Sequence, residues 1–533
     1  MTASLALLHD DAEAARNFCS PGGSVVEGRV RSASVSSSGT QTTKAMSVAT
    51  VSVEGHVLIP IPELEAEPRL SAGGLTANLT GAVLGTTVLG IAAQMKRGGW
   101  LLTPALLCIM GSVVAEMTRL VSMTISHLRE TAAVEVLAYQ DFAESSLGKW
   151  GRRWSMVTST GDLIVYTFIA LVLEAESFHV LFPIAWPWFG QDGCGMKWWS
   201  LFLSSSTVIY AFVDLAILAQ FASRVGPLVC LSMVFLAWLG SFQELEQLSD
   251  FPESCRGSAE TPFWTWWPTD VGSLASDVAS IASYAMFCFA VVVTVPSVQS
   301  TMQEPKQLGS ASTRAYLLSS IVFLSIMGLQ YAGSGNLGPE NIIEGMRSER
   351  PSGWWAMARP WETGTSTMVS KLFAIVVTSN LLLIDATYVP CAVIALETIA
   401  GEAVEQGGWP ARVSIRLGLV VLRFAVATGV SSFIALSSFT SSLFCVSNNI
   451  LIPILAFYAT VGAQSISPAR RVAHVAIFLF GCFIAVFGTI NAVSALLDPI
   501  GSQAVASGLL PRPDASPECL ALARDAGAEG LGL

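Results

Sequence analysis

Residues 75–100 read LTANLTGAVLGTTVLGIAAQMKRGGW. The stretch is apolar enough to enter a bilayer, but its centre is Gly81, Gly85, Thr86, Thr87 and Gly90 rather than the leucines of a stable spanning helix. Glycines without Cβ atoms and hydroxyls that compete for backbone partners predict a segment that unwinds at membrane depth. The N–H and C=O groups freed there must line a protein cavity, because lipid offers them no partner.

The rest of the chain agrees with a membrane setting. Of 533 residues, 52% are hydrophobic and 13% charged, and the mean hydropathy is +0.58. A soluble chain of this length carries about twice that charge, so the composition predicts an all-α polytopic membrane protein. A formal net charge of -11 and no basic run argue against a nucleic-acid partner. No CxxC, HExxH or GxxxxGK[ST] occurs, and no nucleophile–base set is legible. Catalytic residues, metal ligands and cofactors are therefore expected to be none.

Acids directly after the short apolar run of MTASLALLHDDAEAARNF make a cleaved signal peptide unexpected. Residues 1–71 are expected to be a disordered cytosolic tail, since RSASVSSSGTQTTK at 31–44 lacks the apolar content to fold alone. Arg29 and Arg31 before Ser34 suit a basic-directed kinase, although a plain solvated linker is the preferred reading. Residues 72–497 form the transmembrane domain, and 498–533 a short non-cytosolic tail.

Apolar runs of about 20 residues give eleven transmembrane helices: 75–96, 100–123, 156–182, 199–221, 226–242, 273–298, 314–333, 368–395, 414–435, 439–463 and 472–497. Lysine and arginine concentrate in the loops at 124–155, 222–225, 299–313, 396–413 and 464–471, which places those loops and the N-terminus in the cytosol. The opposite loop at 243–271 is acidic and holds Trp264, Trp266 and Trp267, interfacial anchors in the first instance. Cys194 and Cys255 fall in successive outer loops and are a disulfide candidate in an oxidising compartment, two free thiols being the alternative. The other six cysteines of the spans read as small apolar fillers. The sequon Asn78-Leu79-Thr80 lies at the inner mouth of the first span, where glycosylation is not expected.

Charged groups inside spans are expensive and usually functional or paired. Glu116 and Arg119 are three apart and are expected to pair with each other. Glu174 and Glu176 lie toward the outer end of span 3, where water is close. Asp277 is near the start of its span; Asp214 and Arg423 complete the set. Asp162, in the inner half of span 3, and Asp385, near the middle of span 8, are the better proton or cation candidates. Thr378, Ser379 and Asn380 offer consecutive side-chain oxygens in span 8, a set suited to sodium or to interhelical bonding.

Span 6 repeats the logic of span 1. SYAMFCFAVVVTVPSVQSTMQEP, at 283–305, places aromatics at Phe287 and Phe289 and then Pro296, which removes an N–H and kinks or breaks the helix. If spans 1–5 and 6–10 are two inverted halves, the two interrupted helices are equivalent, and a central site lies between them. The amides of Gly85, Thr86 and Thr87 suit a substrate carboxylate, and carbonyls near Ala290 suit an ammonium. Close helix packing is the competing explanation for each small residue taken singly.

These motifs resemble the amino acid/auxin permease family, the eleven-helix branch of the amino acid, polyamine and organocation superfamily. The family's Asn, Gly-x-Gly-x-Leu break and closing Gly-Trp are similar to Asn78, Gly85 to Leu89 and Gly99-Trp100. Its span 6 pattern is similar to Phe287-Cys288-Phe289-Ala290-Val291, Pro296 and Met302 to Pro305. YQDFAESSLGKWGR at 139–152 resembles its cytosolic connection, and SSFIALSSFTSSLFCVSNNILIPILAFYA with Gly481 and Gly488 continues the match, which runs from about 72 to 497. The departures are Thr87, Ala92, Val291, Ser437 and Ser441. A threonine at 87 can hydrogen-bond the unwound chain, whereas a valine at 291 restricts the backbone.

The resemblance implies a LeuT-like fold, a 5+5 inverted repeat plus one extra helix, and secondary active transport of amino acids coupled to protons or sodium. Substrate binding is expected at Gly85, Thr86, Thr87, Phe287, Phe289 and Ala290, and ion coupling at Asn78, Asp162, Thr378, Ser379 and Asp385. The expected partners are an amino acid and membrane lipid, in the plasma membrane or a vacuolar or lysosomal membrane. A non-transporting amino acid sensor that signals through the N-terminal tail is the alternative, supported by the substitutions at the two breaks.

Overall fold

The structure, a computed structural model, describes residues 71–132, 136–182, 194–212, 215–247, 263–268, 272–338, 341–343, 364–430 and 432–497. Both tails beyond 71–497, Asp214, Cys255 and the side chain of Cys194 lie outside the described residues, and with them the disulfide candidate. Among the described residues the chain is all helical.

Helix α1 (Ala72–Val83) starts where the Ser71 hydroxyl accepts from Gly74 N at 3.2 Å, satisfying one of the four donors a helix start leaves open. It stops after twelve residues at the break foreseen in the sequence. Two short 3-10 turns, Thr86–Leu89 and Ala92–Gln94, lead into α2 (Met95–Ala132). Then follow α3 (Tyr139–Leu181), α4 (Cys194–Phe212), α5 (Leu215–Gln247) and α6 (Leu274–Cys288). A second break separates α6 from α7 (Val295–Thr301), which precedes α8 (Leu308–Ser334), α9 (Gly364–Ala400) and α10 (Glu402–Gly429). The final hairpin is α11 (Phe433–Thr440), two π-helical turns, α12 (Ile452–Thr460), α13 (Pro468–Phe483), a further π turn and α14 (Thr489–Leu497).

Eight stretches are long and apolar enough to cross a membrane among the described residues. The spans expected at 75–96, 199–221 and 414–435 are not among the eight. The break cuts the first short, and α10 carries Arg412, Arg416 and Arg423. The segment 139–152, read as a connection, is helical: it forms the start of α3 and turns at Gly148, whose φ is +71°.

The main apolar cluster of the core is built on both broken segments and on α2, α3, α8, α9 and α12. Helix α9 packs against α3 and α5, and α8 against α1, α2 and α5. Large apolar side chains also cover the outside, among them Leu228, Leu231, Phe235, Leu317, Val421 and Leu479. Such a surface is suited to lipid. On one end, Trp100 N and Leu101 N donate to the carbonyls of Thr265 and Trp266, each at 3.1 Å. Gly99 makes this approach possible, because at φ +63° a Cβ would lie 2.4 Å from the Thr265 oxygen.

Candidate functional site

The first break is held open by its own residues. Leu84 N still bonds Thr80 O at 3.0 Å, closing α1, and the 3-10 turn begins with Val88 N to Gly85 O at 3.4 Å. A turn of this kind leaves the N–H groups of Thr86 and Thr87 with no acceptor inside it. The Thr87 hydroxyl donates to Val83 O at 2.8 Å, so the threonine bonds the unwound chain as the sequence suggested. Gly90 is needed for packing: a Cβ there would lie 2.5 Å from the Tyr284 hydroxyl and 2.6 Å from Phe433.

The second break falls at Phe289–Val291, before Pro296 rather than at it. Pro296 sits in the first turn of α7, a position where its missing N–H costs nothing and its fixed φ helps. Val291 has φ -118° and ψ 3°, a bridge conformation open to a β-branched residue. Its N–H reaches Phe289 O at 2.8 Å. Val292 N donates to Asn449 Oδ1 at 2.9 Å, and Asn449 Nδ2 donates to Cys445 O at 2.8 Å. Asn449 belongs to the π-helical turn Ser447–Leu451, a device frequent at functional sites.

Tyr166 of α3 brings the two breaks together. Its hydroxyl lies 3.0 Å from the Thr86 hydroxyl. Its ring lies 5.9 Å from Phe287 and 4.7 Å from Tyr388 of α9, centroid to centroid. A second tyrosine, Tyr284 of α6, donates to Thr87 O at 3.1 Å and stands 6.0 Å from Phe287. Asp162 is one turn before Tyr166, and its Oδ1 accepts from Cys445 Sγ at 3.3 Å. Thr86, Thr87, Phe287, Tyr166, Tyr284 and Asp162 thus share one region where α3, α6 and the first break meet.

The other expected site residues divide. Ala290 is half-buried in the second break, whereas Phe289 turns away and packs on Tyr316 and Phe323 of α8. Asn78 is exposed on α1, two turns before the break. Thr378 is buried with an unpartnered hydroxyl, Ser379 donates to its own helix at Ile375 O, and Asn380 faces Met233. Consecutive helical residues point about 100° apart, so the three do not converge.

One pairing and one placement expected from sequence are corrected. Glu116 does not pair with Arg119, which is exposed. It takes Arg470 of α13 in a two-pronged bond at 2.8 and 2.7 Å, and His474 Nε2 at 2.9 Å. The Arg470 fork meets both carboxylate oxygens of Glu116, a bidentate fit, while the Arg119 side chain lies exposed. Glu174 and Glu176 are not near water: both are buried. Glu176 accepts from Asn341 at 3.0 Å, and Glu174 joins Asp385 around Arg423. Arg423 also donates to Thr167 O at 2.7 Å and Thr207 Oγ1 at 2.6 Å.

Eight apolar, membrane-length stretches among the described residues define a multi-pass integral membrane protein, here with two of its helices interrupted inside the bundle. Over residues 68–494 the chain matches the family described as transmembrane amino acid transporter protein, and it belongs to that family. The motif resemblance is thereby borne out. A curated relative is amino acid transporter AVT1I of Arabidopsis thaliana, 23% identical over 266 residues, 49% of this chain and 58% of that protein. The chain therefore matches a little over half the length of this relative. Among solved structures, that of MhsT in complex with L-phenylalanine is similar at 15% identity and a TM-score of 0.47, covering 80% of this chain and 97% of the other.

Proposed function

We propose that this protein moves amino acids across a membrane as a secondary active transporter working by alternating access. The observation that carries this reading is Tyr166, which touches Thr86 of one broken segment and Phe287 of the other. Between them the open N–H groups of Thr86 and Thr87 suit a carboxylate, and the carbonyl end of α6 near Ala290 suits an ammonium. Phe287 and Tyr388 supply an apolar wall for a neutral side chain. Family membership supports the class of substrate.

The architecture in this reading is eleven spans, a LeuT-like pair of inverted five-helix halves plus one more, with the N-terminus cytosolic. The two breaks, one at the start of each half, support it. The coupling ion is a proton or sodium, and the membrane is the plasma membrane or that of a vacuole or lysosome. The substitutions at the breaks are compatible with transport: Thr87 bonds Val83 O, and Ser441 Oγ donates to Ser283 O of α6 at 2.5 Å.

The test is uptake of radiolabelled amino acids into proteoliposomes holding the purified chain, with pH and sodium gradients imposed separately. Saturable uptake driven by one gradient is expected. No uptake under either, with an amino acid still raising the Tm, would favour the sensor.

A further inference from the structure

Among the described residues Arg423 is the largest fully buried side chain, and it faces two acids rather than one. Its Nη2 bonds Asp385 Oδ2 and lies 3.8 Å from Glu174 Oε2. Glu174 and Asp385 are each 1% exposed and Arg423 is 0%. With both carboxylates ionised the group carries a net charge of -1 in a water-excluded interior, a state proteins avoid by neutralising a member.

The hydrogen bonds identify what is missing. Arg423 also donates from Nε to Thr167 O and from Nη1 to Thr207 Oγ1. The second oxygens, Glu174 Oε1 and Asp385 Oδ1, are buried and receive no hydrogen bond. The surrounding described helices add no compensating charge. Helix α4 offers Tyr210, α9 offers Tyr388, and α3 offers Tyr166, phenols that carry no charge in their ordinary form. One proton would neutralise the surplus charge and give one of these carboxyls a donor for the other. A sodium ion needs about six oxygen ligands, by analogy with the hard cations, and two orphan oxygens fall short.

We propose that Glu174 and Asp385 share one exchangeable proton beside Arg423, making a proton-binding site within α3, α9 and α10. The site is connected to the centre by the chain itself. Asp385 is one turn from Tyr388, and Glu174 two turns from Tyr166, the ring pair that stacks beside the first break. A proton entering or leaving changes the charge on both helices that carry those rings. This deepens the transport reading and rests on it for the coupling role, not for the existence of the proton.

Infrared spectroscopy of the full chain in lipid vesicles at neutral pH tests the site directly through the carbonyl stretch of a protonated carboxyl. The wild type is expected to show this band, and E174Q and D385N are each expected to lose it. Either variant leaves one carboxylate balanced against Arg423, with no need for a proton. D162N serves as the reference that should leave the band contributed by the pair in place. Retention of the wild-type band in both variants would overturn the proposal, as would its absence from the wild type.

A pH-sensitive dye inside the same vesicles then reads protons moved per amino acid moved. That ratio should fall toward zero in E174Q and D385N, and a wild-type ratio in both would overturn the coupling role. A sodium-dependent rise in Tm that D385N removes would replace the proton by a cation. If the variants lose the band but the wild type shows no amino acid counterflow, the proton site stands and the transport reading falls.

Discussion

The hydroxyls of Tyr166 and Thr86 lie 3.0 Å apart, and this contact ties the middle of α3 to the point where the first helix is interrupted. The same ring packs on Phe287 and Tyr388, so one side chain touches both broken segments and a third helix. Removing only the hydroxyl, in Tyr166→Phe, should raise the KM for uptake several-fold while costing about 1 kcal/mol of stability. Concentration dependence of uptake, alongside Tm, separates the two effects. An unchanged KM would remove Tyr166 from the site.

Gly90 and Gly85 should respond differently to the same change. A Cβ at Gly90 meets Tyr284 and Phe433 at 2.5 and 2.6 Å, whereas one at Gly85 meets only Ala82 O at 3.7 Å. Gly90→Ala should lower Tm and reduce uptake, since displacing two packed rings costs about 1–3 kcal/mol. Gly85→Ala should lower Tm less. Equal losses would mean that the packing around Gly90 is not as described.

Asn449→Ala should cost about 1–3 kcal/mol by leaving the Val292 N–H buried and unpaired. Asn449→Asp restores the acceptor and should recover part of the loss. Thermal denaturation of both variants in one detergent reads this, and an Asn449→Ala as stable as the wild type would contradict the role given to the π turn.

Arg470 and Arg471 are adjacent in sequence yet unequal in structure. Arg470 holds Glu116 through two bonds, while Arg471 Nε reaches only Ile466 O at 3.2 Å. Arg470→Ala should destabilise more than Arg471→Ala, by about 1–2 kcal/mol once partial exposure is allowed for. A double-mutant cycle with Glu116→Gln should show a coupling of about 1 kcal/mol; zero coupling would dissolve the α2–α13 tie.

The first break is legible in the sequence because Gly85, Thr86, Thr87 and Gly90 crowd the centre of one apolar run, where packing accounts for each singly but not for the cluster. The second was legible only approximately. Pro296 drew attention as the breaker, but it starts α7, and the interruption lies at Phe289–Val291. What the sequence hid was long-range. Arg423 is 38 residues from Asp385 and 256 from Thr167, so no local spacing rule could name its partners. Glu116 and Arg119 satisfied a local spacing rule, yet the partner came from α13. Tyr166 is hard to single out in the sequence because an aromatic in a span is ordinarily core or an interfacial anchor. Its position four residues after Asp162 was the available signal.

The most direct measurement is an electron cryomicroscopy map of the chain in nanodiscs, at saturating concentration of whichever amino acid gives the largest uptake. The account predicts density for the ligand beside the Tyr166 ring, with its carboxylate at the N–H groups of Thr86 and Thr87 and its ammonium toward the carbonyl of Ala290. Ligand density elsewhere in the bundle, with the region between the two breaks empty, would contradict it.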